Sequence, residues 1–451
     1  MTKKPSRPSK SQPKSAKSKS ASPKSAKPKS ASPKSPSRPS APPGPGAAAA
    51  GFAFANPQPS SDNFDVFTKN DIQADSDLKA SDLLQPIPNP RVNPPVMALD
   101  AILGTATVQQ ITATKSITFH CVGDTGGIHE PEYQFSVADA MAADLTGKTY
   151  QTGKPVFFYH LGDVVYYLGQ ELYYYEQFYD PYRDYNAPIL GIPGNHDGMV
   201  SPSLGQKTLQ GFLDNFCTAT PTHNPDAQGH ARTTMTQPGV YFTFDAPFVK
   251  FIGLYSNISE GTTSGVLSGK NIGNGQLTFL QQQLQAAAQQ RAKGNKFALF
   301  IAVHHPPFTG SSKHAPSPSI LKDIDAACQK ANILPDMVLS GHAHLYERYT
   351  RVVKNNQIPF LVAGCGGYYD LSGLKPGQHG TKPTTPVSGT DGTGNKLTLE
   401  TYNDQTFGYL LLNASATAVT CKFMGVNVKT NAKSVIDHFT LDLVHHTVSN
   451  H

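Results

Sequence analysis

Short, continuously apolar runs recur along the chain and alternate with segments of helical spacing. Five of these runs have the composition of buried strands: 116–123, 155–162, 187–194, 296–303 and 336–341. Strands that are apolar on both faces are typical of sheets covered on both sides, and their alternation with helices is typical of α/β proteins. The segments 239–256 and 407–424 add a predicted hairpin and a predicted C-terminal β region. The sequence therefore predicts an α/β fold with buried sheets.

The N-terminal part of the chain has a different composition, which is dominated by Ser, Lys, Pro and Ala. A segment with so few apolar side chains cannot bury enough surface to offset the entropy that it loses on ordering. We therefore predict a disordered basic tail at 1–55. Residues 56–105 include the proline-rich stretch 88–96, which favours extended chain, and we predict an irregular lead-in there. The folded domain is expected at 106–451.

Charge is distributed unevenly between the tail and the rest of the chain. Residues 1–40 contain 12 of the 38 Lys and Arg residues and no acidic residue, so the remainder has 26 basic against 32 acidic residues. A mildly acidic body is a poor general surface for nucleic acid. Residues 1–50 are interpreted as a solvated linker, and the alternative is that they contact a polyanion, since any such contact would belong to the tail.

Two other classes of protein are excluded by composition. No apolar stretch approaches the roughly 18 residues of a membrane-spanning helix, so we expect no membrane span. The cysteines are widely spaced and form no CxxC motif, which argues against a zinc ribbon and a disulfide scaffold. We interpret them as buried thiols, with one disulfide in an exported protein as the alternative. They are Cys121, Cys217, Cys328, Cys365 and Cys421.

Polar side chains follow the apolar runs at the points where the predicted strands end. In chain order, these residues are Asp124, Asp163, Asn195, His304, His342 and His344. Ligands bind at the carboxyl ends of strands in open α/β sheets, so we expect these side chains to meet at one edge. Oxygen and imidazole ligands together suit iron, zinc or manganese, and the set is too large for one tetrahedral ion. Two cations about 3.5–4 Å apart can clamp a phosphoryl group and lower the pKa of a bridging water.

These motifs, taken in order, resemble those of the calcineurin-like metallophosphoesterase superfamily, and more closely those of the purple acid phosphatases. The broad superfamily has a histidine two residues after the first aspartate, where this chain has Gly126. Instead Tyr166 follows Asp163 at the third position, which resembles the GDxxY motif of purple acid phosphatases. The segment GHAHLYER at 341–348 is similar to the GHxHxYER motif of the plant enzymes. Over about 115–425 the resemblance implies a two-sheet β-sandwich flanked by helices.

The resemblance also implies two metal ions, which would be Fe(III) at one site and Fe(II), Zn(II) or Mn(II) at the other. Asp163 would bridge them, and Tyr166 would bind Fe(III) as a phenolate. The metal ligands implied are Asp124, Asp163, Tyr166, Asn195, His304, His342 and His344. His304 is preferred over His305 because the family pattern places the ligand histidine two residues before a proline.

Two histidines outside this ligand set are implied in catalysis. His196 resembles the family histidine that contacts phosphate and assists the leaving group, and His314 resembles a second such histidine. Lys313 stands where plant members have a further histidine, and a lysine can still bind phosphate as a point charge. The function implied is an acid-type phosphatase that hydrolyses small phosphomonoesters with a metal-activated hydroxide, and family resemblance implies export.

Two other functions are kept as alternatives. A phosphodiesterase that acts on nucleotides or phospholipid headgroups would have the same fold and metals. A binding protein that acts through its basic tail would not need a complete set of metal ligands. The tyrosine-rich segment 173–185 is interpreted as a packing face, or alternatively as a pocket rim that stacks on an aromatic phosphoester. His129 and Glu130 are interpreted as a solvated loop, or alternatively as reaching the site.

Overall fold

Two mixed β-sheets pack face to face in the computed structural model, which describes residues 87–199, 207–256, 267–269, 272–377 and 380–451. Within these residues the first sheet has, in spatial order, β1 (Val96–Ala98), β5 (Phe242–Ala246), β6 (Val249–Leu254), β7 (Ala298–Val303), β8 (Met337–Ser340), β10 (Asn356–Ala363), β9 (Tyr346–Val353), β12 (Lys396–Asn403) and β11 (Val387–Thr390). The second sheet has β16 (Thr447–Asn450), β15 (Ala432–Asp442), β14 (Ala418–Asn427), β13 (Gly408–Ser415), β2 (Ser116–Val122), β3 (Pro155–His160) and β4 (Ile189–Gly191). The predicted α/β fold, a two-sheet β-sandwich flanked by helices, is confirmed.

Helices connect the strands and cover the outer faces of the sheets. The helices are α1 (Asp100–Leu103), α2 (Thr105–Ala113), α3 (Glu132–Ala143), α4 (Asn195–Gly198), α5 (Gln210–Phe216), α6 (Gly275–Ala292) and α7 (Pro318–Ala331), with single turns at Glu171–Tyr173, Tyr175–Tyr179 and Pro225–Ala227. In α7 the buried residues include Ile320, Ile324 and Ala327, which recur at helical spacing on one face. Pro318 opens this helix, and Asn332 ends it in the left-handed conformation.

Aromatic side chains fill the space between the two sheets. Phe119 and Phe157 of the second sheet stack at a centroid distance of 4.9 Å. Phe119 meets Phe251 of the first sheet edge to face at 5.5 Å, and Phe251 meets Phe300 at 5.3 Å. All four rings are fully buried, so this layer joins the sheets by apolar burial and aromatic packing.

Each sheet contributes a block of parallel strands to one edge of the sandwich. In the second sheet β2, β3 and β4 are parallel, and in the first sheet β6, β7 and β8 are parallel. Because parallel strands end at the same edge, the residues that follow β2, β3, β4, β7 and β8 are brought together from both sheets. These are the strand ends at which the sequence places its polar motifs.

The N-terminal region differs in part from the prediction. The basic tail at 1–55 and the first part of the lead-in lie outside the described residues, and the predicted domain boundaries stay predictions. Of the lead-in that is described, Val96–Ala98 is a strand parallel to β5 and Asp100–Leu103 is a helix, rather than irregular chain. The prolines that indicated irregular structure end at Pro95, so β1 can add to the sheet as an edge strand.

Two predictions about packing can be compared with the structure. All five cysteines are buried as free thiols, as predicted. The tyrosine-rich segment is largely a packing face, because Tyr174, Tyr179, Tyr182 and Tyr185 are fully buried in the core. In the part of the chain that the structure describes, no helix is both long enough and apolar enough to cross a membrane.

Candidate metal centre

Tight turns at the strand ends set the direction of the candidate ligands. Asp124 follows β2 with a φ of 56°, Asp163 follows β3 with a φ of 55°, and His342 follows β8 with a φ of 68°. This left-handed conformation is unfavourable for residues other than glycine and is held where the surrounding structure requires it. The amide of Asp124 donates to the carbonyl of Gly162 at 2.9 Å, which ties the two aspartate turns together.

The first cluster consists of Asp124, Tyr166 and His344. The Tyr166 hydroxyl lies 3.3 Å from Asp124 Oδ1 and 3.3 Å from His344 Nε2. His344 Nε2 is 3.5 Å from Asp124 Oδ1, so the three candidate ligand atoms form a small triangle. His344 Nδ1 donates to the backbone carbonyl of Asp370 at 3.0 Å, which directs Nε2 into the cluster.

The second cluster consists of Asp163, Asn195, His304 and His342. Asn195 Oδ1 lies 3.2 Å from His304 Nε2 and 3.0 Å from His342 Nδ1. His304 Nε2 is 3.2 Å from Asp163 Oδ2. One ligand atom each from Asp163, His304 and His342 fit within 4.8 Å of one another, and all three residues are buried.

The donor and acceptor pattern of this cluster calls for a cation. A backbone carbonyl only accepts, so His304 Nδ1 must donate its proton to the carbonyl of Leu161, 2.8 Å away. A neutral His304 then presents the lone pair of Nε2 toward the oxygens of Asp163 and Asn195. Asp163 Oδ2 accepts no hydrogen bond although it is fully buried. Lone pairs that converge without a proton between them fit a metal ion, and imidazole with oxygen ligands suits iron, zinc or manganese.

In the absence of a metal ion, the electrostatics of the side chains favour a proton at the same position. Burial opposes a charge on His304, but Asp163 and Asp124 outweigh it and raise the pKa of His304 to about 9. In turn, His304 and His196 hold the pKa of the Asp163 carboxyl well below its usual range in spite of burial. The Asp163 carboxylate therefore attracts positive charge to this position, which either a proton or a metal ion can supply.

The two clusters are joined through the backbone. The amide of His342 donates to Asp124 Oδ2 at 2.8 Å, and so a residue of the second cluster supports a ligand of the first. Glycines permit this proximity: a Cβ on Gly194 would lie 2.1 Å from Asp163 Oδ1, and one on Gly341 would lie 2.5 Å from Asp124 Oδ2. By contact Asp163 belongs to the second cluster, and its expected role as a bridge stays a prediction.

The predicted catalytic histidines border these clusters. His196 Nδ1 donates to the carbonyl of Tyr167 at 2.8 Å, and its ring lies 4.4 Å from that of Tyr166. The His314 ring lies 4.6 Å from that of His342 and 4.9 Å from that of His344. Both histidines are half-buried at the open side of the clusters. The structure therefore brings all nine predicted site residues together, and their roles stay predictions.

Three further side chains lie near the candidate ligands. Tyr167 lies beside Tyr166 in the same turn. The Tyr167 hydroxyl lies 3.2 Å from that of Tyr368. His305 Nδ1 lies 3.0 Å from Ser256 Oγ, and its ring lies 4.1 Å from that of His342. Lys313 forms an ion pair with Asp370.

Asp197 has a structural role in the turns that carry the ligands. It accepts hydrogen bonds from the amides of Gly194 at 2.8 Å, Val164 at 3.1 Å and Val165 at 3.2 Å. Burial and the neighbouring Asp163 raise the pKa of Asp197 to about 7. Asp197 thus orders the loop around His196.

Glu347, which the sequence alone did not indicate, supports the loop that carries a candidate catalytic residue. It is fully buried, and it accepts hydrogen bonds from Thr309 Oγ1 at 2.7 Å and from the amide of Gly310 at 2.8 Å. These residues begin the loop that carries His314, so Glu347 anchors that loop to β9. The signal was present in the YER segment, where Arg348 pairs with Asp437 at 2.7 Å and gives the strand a second fixed point.

The sequence matches one protein family. Residues 117–346, just over half of the chain, match the family model described as calcineurin-like phosphoesterase. This range begins in β2 and ends at the first residue of β9, and so it includes both clusters. No curated protein matches the chain in sequence.

Solved structures with a similar arrangement share little sequence with this chain. A purple acid phosphatase, PPD1, from yellow lupin (Lupinus luteus) seeds is 17% identical over 72% of this chain and 53% of its own, with a TM-score of 0.48. GAP50, the anchor in the inner membrane complex of Plasmodium, is 14% identical over 72% of this chain and 87% of its own, with a TM-score of 0.47. PhoD is 12% identical over 81% of this chain and 73% of its own, with a TM-score of 0.44. This chain spans about half of the lupin protein, and at these values the similarities say nothing about activity.

Proposed function

Because the chain belongs to the calcineurin-like phosphoesterase family, we propose that it is a phosphomonoesterase of the purple acid phosphatase type with a binuclear metal centre. Phosphoester hydrolysis is the activity of the family. The number of metals, their identity and the preference for monoesters go beyond the family and are our proposal.

The observation that carries the proposal is the convergence of acceptor atoms in two adjacent clusters. His304 Nε2 lies 3.2 Å from Asn195 Oδ1 and 3.2 Å from Asp163 Oδ2. Asp163 Oδ2 is buried and accepts no hydrogen bond. Beside them, Asp124, Tyr166 and His344 form a second set of oxygen and imidazole atoms. Seven ligand-type side chains exceed what one tetrahedral ion needs and suit two ions.

Tyr166 supports a trivalent ion in the first cluster. Burial and the nearby Asp163 raise the pKa of its hydroxyl well above the usual value, so the phenol alone stays protonated. Coordination to Fe(III) would remove that proton, because a bound cation inverts the local effect on pKa. When bound, the two cations would neutralise phosphoryl charge and acidify a water molecule.

The remaining side chains would position the substrate. His196 is fixed by its hydrogen bond to the carbonyl of Tyr167, and this leaves Nε2 as the ring nitrogen that can exchange a proton with the leaving group. His314, whose ring lies beside those of His342 and His344, would contact the phosphate. Lys313 lies at the outer edge, where it pairs with Asp370.

Metal analysis and visible absorption test this proposal. We expect two ions per chain, a pink or purple colour from charge transfer between phenolate and Fe(III), and hydrolysis of small phosphomonoesters. Tyr166→Phe should abolish the visible band, whereas Tyr167→Phe is the matched control and should keep it. A colourless protein that is fully active with divalent metals alone would refute the purple acid phosphatase assignment and leave the family unchanged.

Two expectations about the whole protein accompany this proposal. Export is proposed from the resemblance to purple acid phosphatases, and contact of residues 1–50 with a polyanion is proposed from their charge. The tail lies outside the described residues, so both rest on the sequence.

A further inference from the structure

A row of aromatic rings leads from the first cluster toward the surface. The innermost ring, Tyr368, lies 4.2 Å from the ring of Tyr166 and 4.5 Å from that of His344. Tyr369 follows at 4.9 Å from Tyr368, and His129 follows at 4.8 Å from Tyr369. We call Tyr368, Tyr369 and His129 the aromatic row. Exposure increases along it, since Tyr368 is buried, Tyr369 is half-buried and His129 is exposed.

Tyr167 supports the inner part of the aromatic row. Its hydroxyl lies 3.2 Å from the hydroxyl of Tyr368 and 3.5 Å from His129 Nε2. These contacts fix the rings relative to the turn that carries Tyr166. The row is therefore a defined surface attached to the candidate ligands, and not a loose loop.

The position of the row relates it to the leaving group of a substrate. A phosphoryl group bound at the clusters is recognised by charge, which says nothing about the rest of the molecule. A group attached to its ester oxygen that extends along the row meets aromatic rings, the innermost of which lies 4.5 Å from the ring of His344. Aromatic rings pack best on other rings, in offset or edge-to-face geometry.

We propose that the aromatic row selects phosphoesters whose leaving group is a flat aromatic ring, which makes aryl phosphomonoesters the preferred substrate class. This inference rests on the proposed function and adds a substrate class to it. Because the innermost ring contacts candidate ligands directly, the row suits a ring joined to phosphorus through one oxygen. The base of a nucleotide is held farther away by its ribose and would meet only the outer end of the row.

The first experiment compares phenyl phosphate with ethyl phosphate for wild type, Tyr369→Leu and Tyr369→Phe. For each protein we divide kcat/KM for phenyl phosphate by kcat/KM for ethyl phosphate, so that a loss of activity that affects both esters equally cancels. The two leaving groups differ in reactivity to the same extent in every variant, and so a change of this ratio between variants reports the contact with the ring. We expect the ratio to fall about 3- to 10-fold in Tyr369→Leu, the range for one lost aromatic contact. The ratio should stay at the wild-type value in Tyr369→Phe, which keeps the ring. It should also stay there in the control Tyr150→Leu, because Tyr150 is a half-buried tyrosine outside the site.

A second measurement separates binding from hydrolysis. Calorimetry with the metal-loaded protein compares the dissociation constants of phenylphosphonate and methylphosphonate, neither of which has an ester bond to cleave. Tyr369→Leu should lose affinity for phenylphosphonate about 3- to 10-fold more than for methylphosphonate. His129→Ala should lower kcat/KM for 1-naphthyl phosphate more than it lowers kcat/KM for phenyl phosphate. The reason is that only the larger naphthyl ring reaches the outer end of the aromatic row.

The outcomes distinguish the two levels of the argument. If Tyr369→Leu lowers kcat/KM for both esters equally and the affinity for both phosphonates equally, the row has only a structural role. The inference is then wrong, whereas the proposed function stands. If wild type prefers adenosine monophosphate and loses that preference in Tyr369→Leu without a change for phenyl phosphate, the aryl assignment is also overturned. If wild type binds phenylphosphonate preferentially but hydrolyses no phosphoester, the proposed function fails and the binding preference of the row is upheld.

Discussion

Glu347 provides a test of how the loop that carries His314 is held. Its carboxylate accepts hydrogen bonds from Thr309, Gly310 and Tyr349, which lower its pKa, but complete burial outweighs them. The result is a pKa raised from 4.5 to about 7. One pKa unit corresponds to about 1.4 kcal/mol, so the difference amounts to roughly 3 kcal/mol of stability that depends on pH.

The sign of this effect follows from proton binding. Since the folded state holds the proton more tightly than the unfolded state, the contribution of Glu347 is fully present below about pH 4.5 and is lost as the pH rises through about 7. Glu347→Gln removes the charge and keeps an oxygen that accepts from Gly310. The free energy of unfolding of the variant should therefore rise relative to wild type by up to about 3 kcal/mol between pH 4.5 and pH 8.

Urea unfolding at a series of pH values measures this difference at a constant slope m. Glu132→Gln, an exposed glutamate in the first turn of α3, is the matched control and should follow the wild-type curve. If the free energies of unfolding of wild type and Glu347→Gln changed with pH in parallel, ionisation of Glu347 would not destabilise the folded protein. The loop would then be held by the hydrogen bonds alone, and the reasoning from burial would be refuted.

Two further changes test the centre itself. Asp163→Asn removes the carboxylate that faces His304 and should abolish both activity and metal binding, measured as ions per chain; retention of two ions would contradict the bridging role. His196→Ala should keep the metals and lower turnover about 10²- to 10⁴-fold, as expected for a lost general acid, and an unchanged rate would assign His196 to the turn alone.

The fold could be predicted because its central strands are local signals. The runs 116–123, 155–162 and 296–303 contain β2, β3 and β7 with boundaries correct to within two residues. The order of strands could not be predicted in the same way. Leu410 of β13 pairs with Cys121 of β2 across almost 290 residues, and nothing in either run specifies this partner. Such pairings are set by the packing of whole sheets and leave no periodicity in the sequence.

The candidate site was predicted where ligand-type residues directly follow apolar strands. Tyr368 and Asp370 were not predicted, because residues 364–367 separate them from the end of β10 and no ligand-type residue directly follows that strand. Asp370 acts through its backbone carbonyl, which fixes His344, and a role of that kind does not depend on the side chain. Glu347 was missed because its partners, Thr309 and Gly310, come from a distant loop.

The charge balance of the site explains why these residues are found together. Three carboxyl groups, those of Asp124, Asp163 and Asp197, are buried at one edge of the sandwich. Among the described residues, no Lys or Arg forms an ion pair with any of them, whereas Arg348 and Arg351 of β9 pair with other aspartates. An unpaired buried carboxylate is strongly unfavourable, and a fold selected for stability alone would replace it.

The positive charge that balances these carboxylates must therefore come from protonated histidine or from bound cations. His304 and His344 each donate from Nδ1 to a backbone carbonyl, that of Leu161 and that of Asp370. This directs Nε2 of both rings toward the carboxylates, which suits the binding of cations. This arrangement costs the apoprotein stability, which metal binding would recover by mass action.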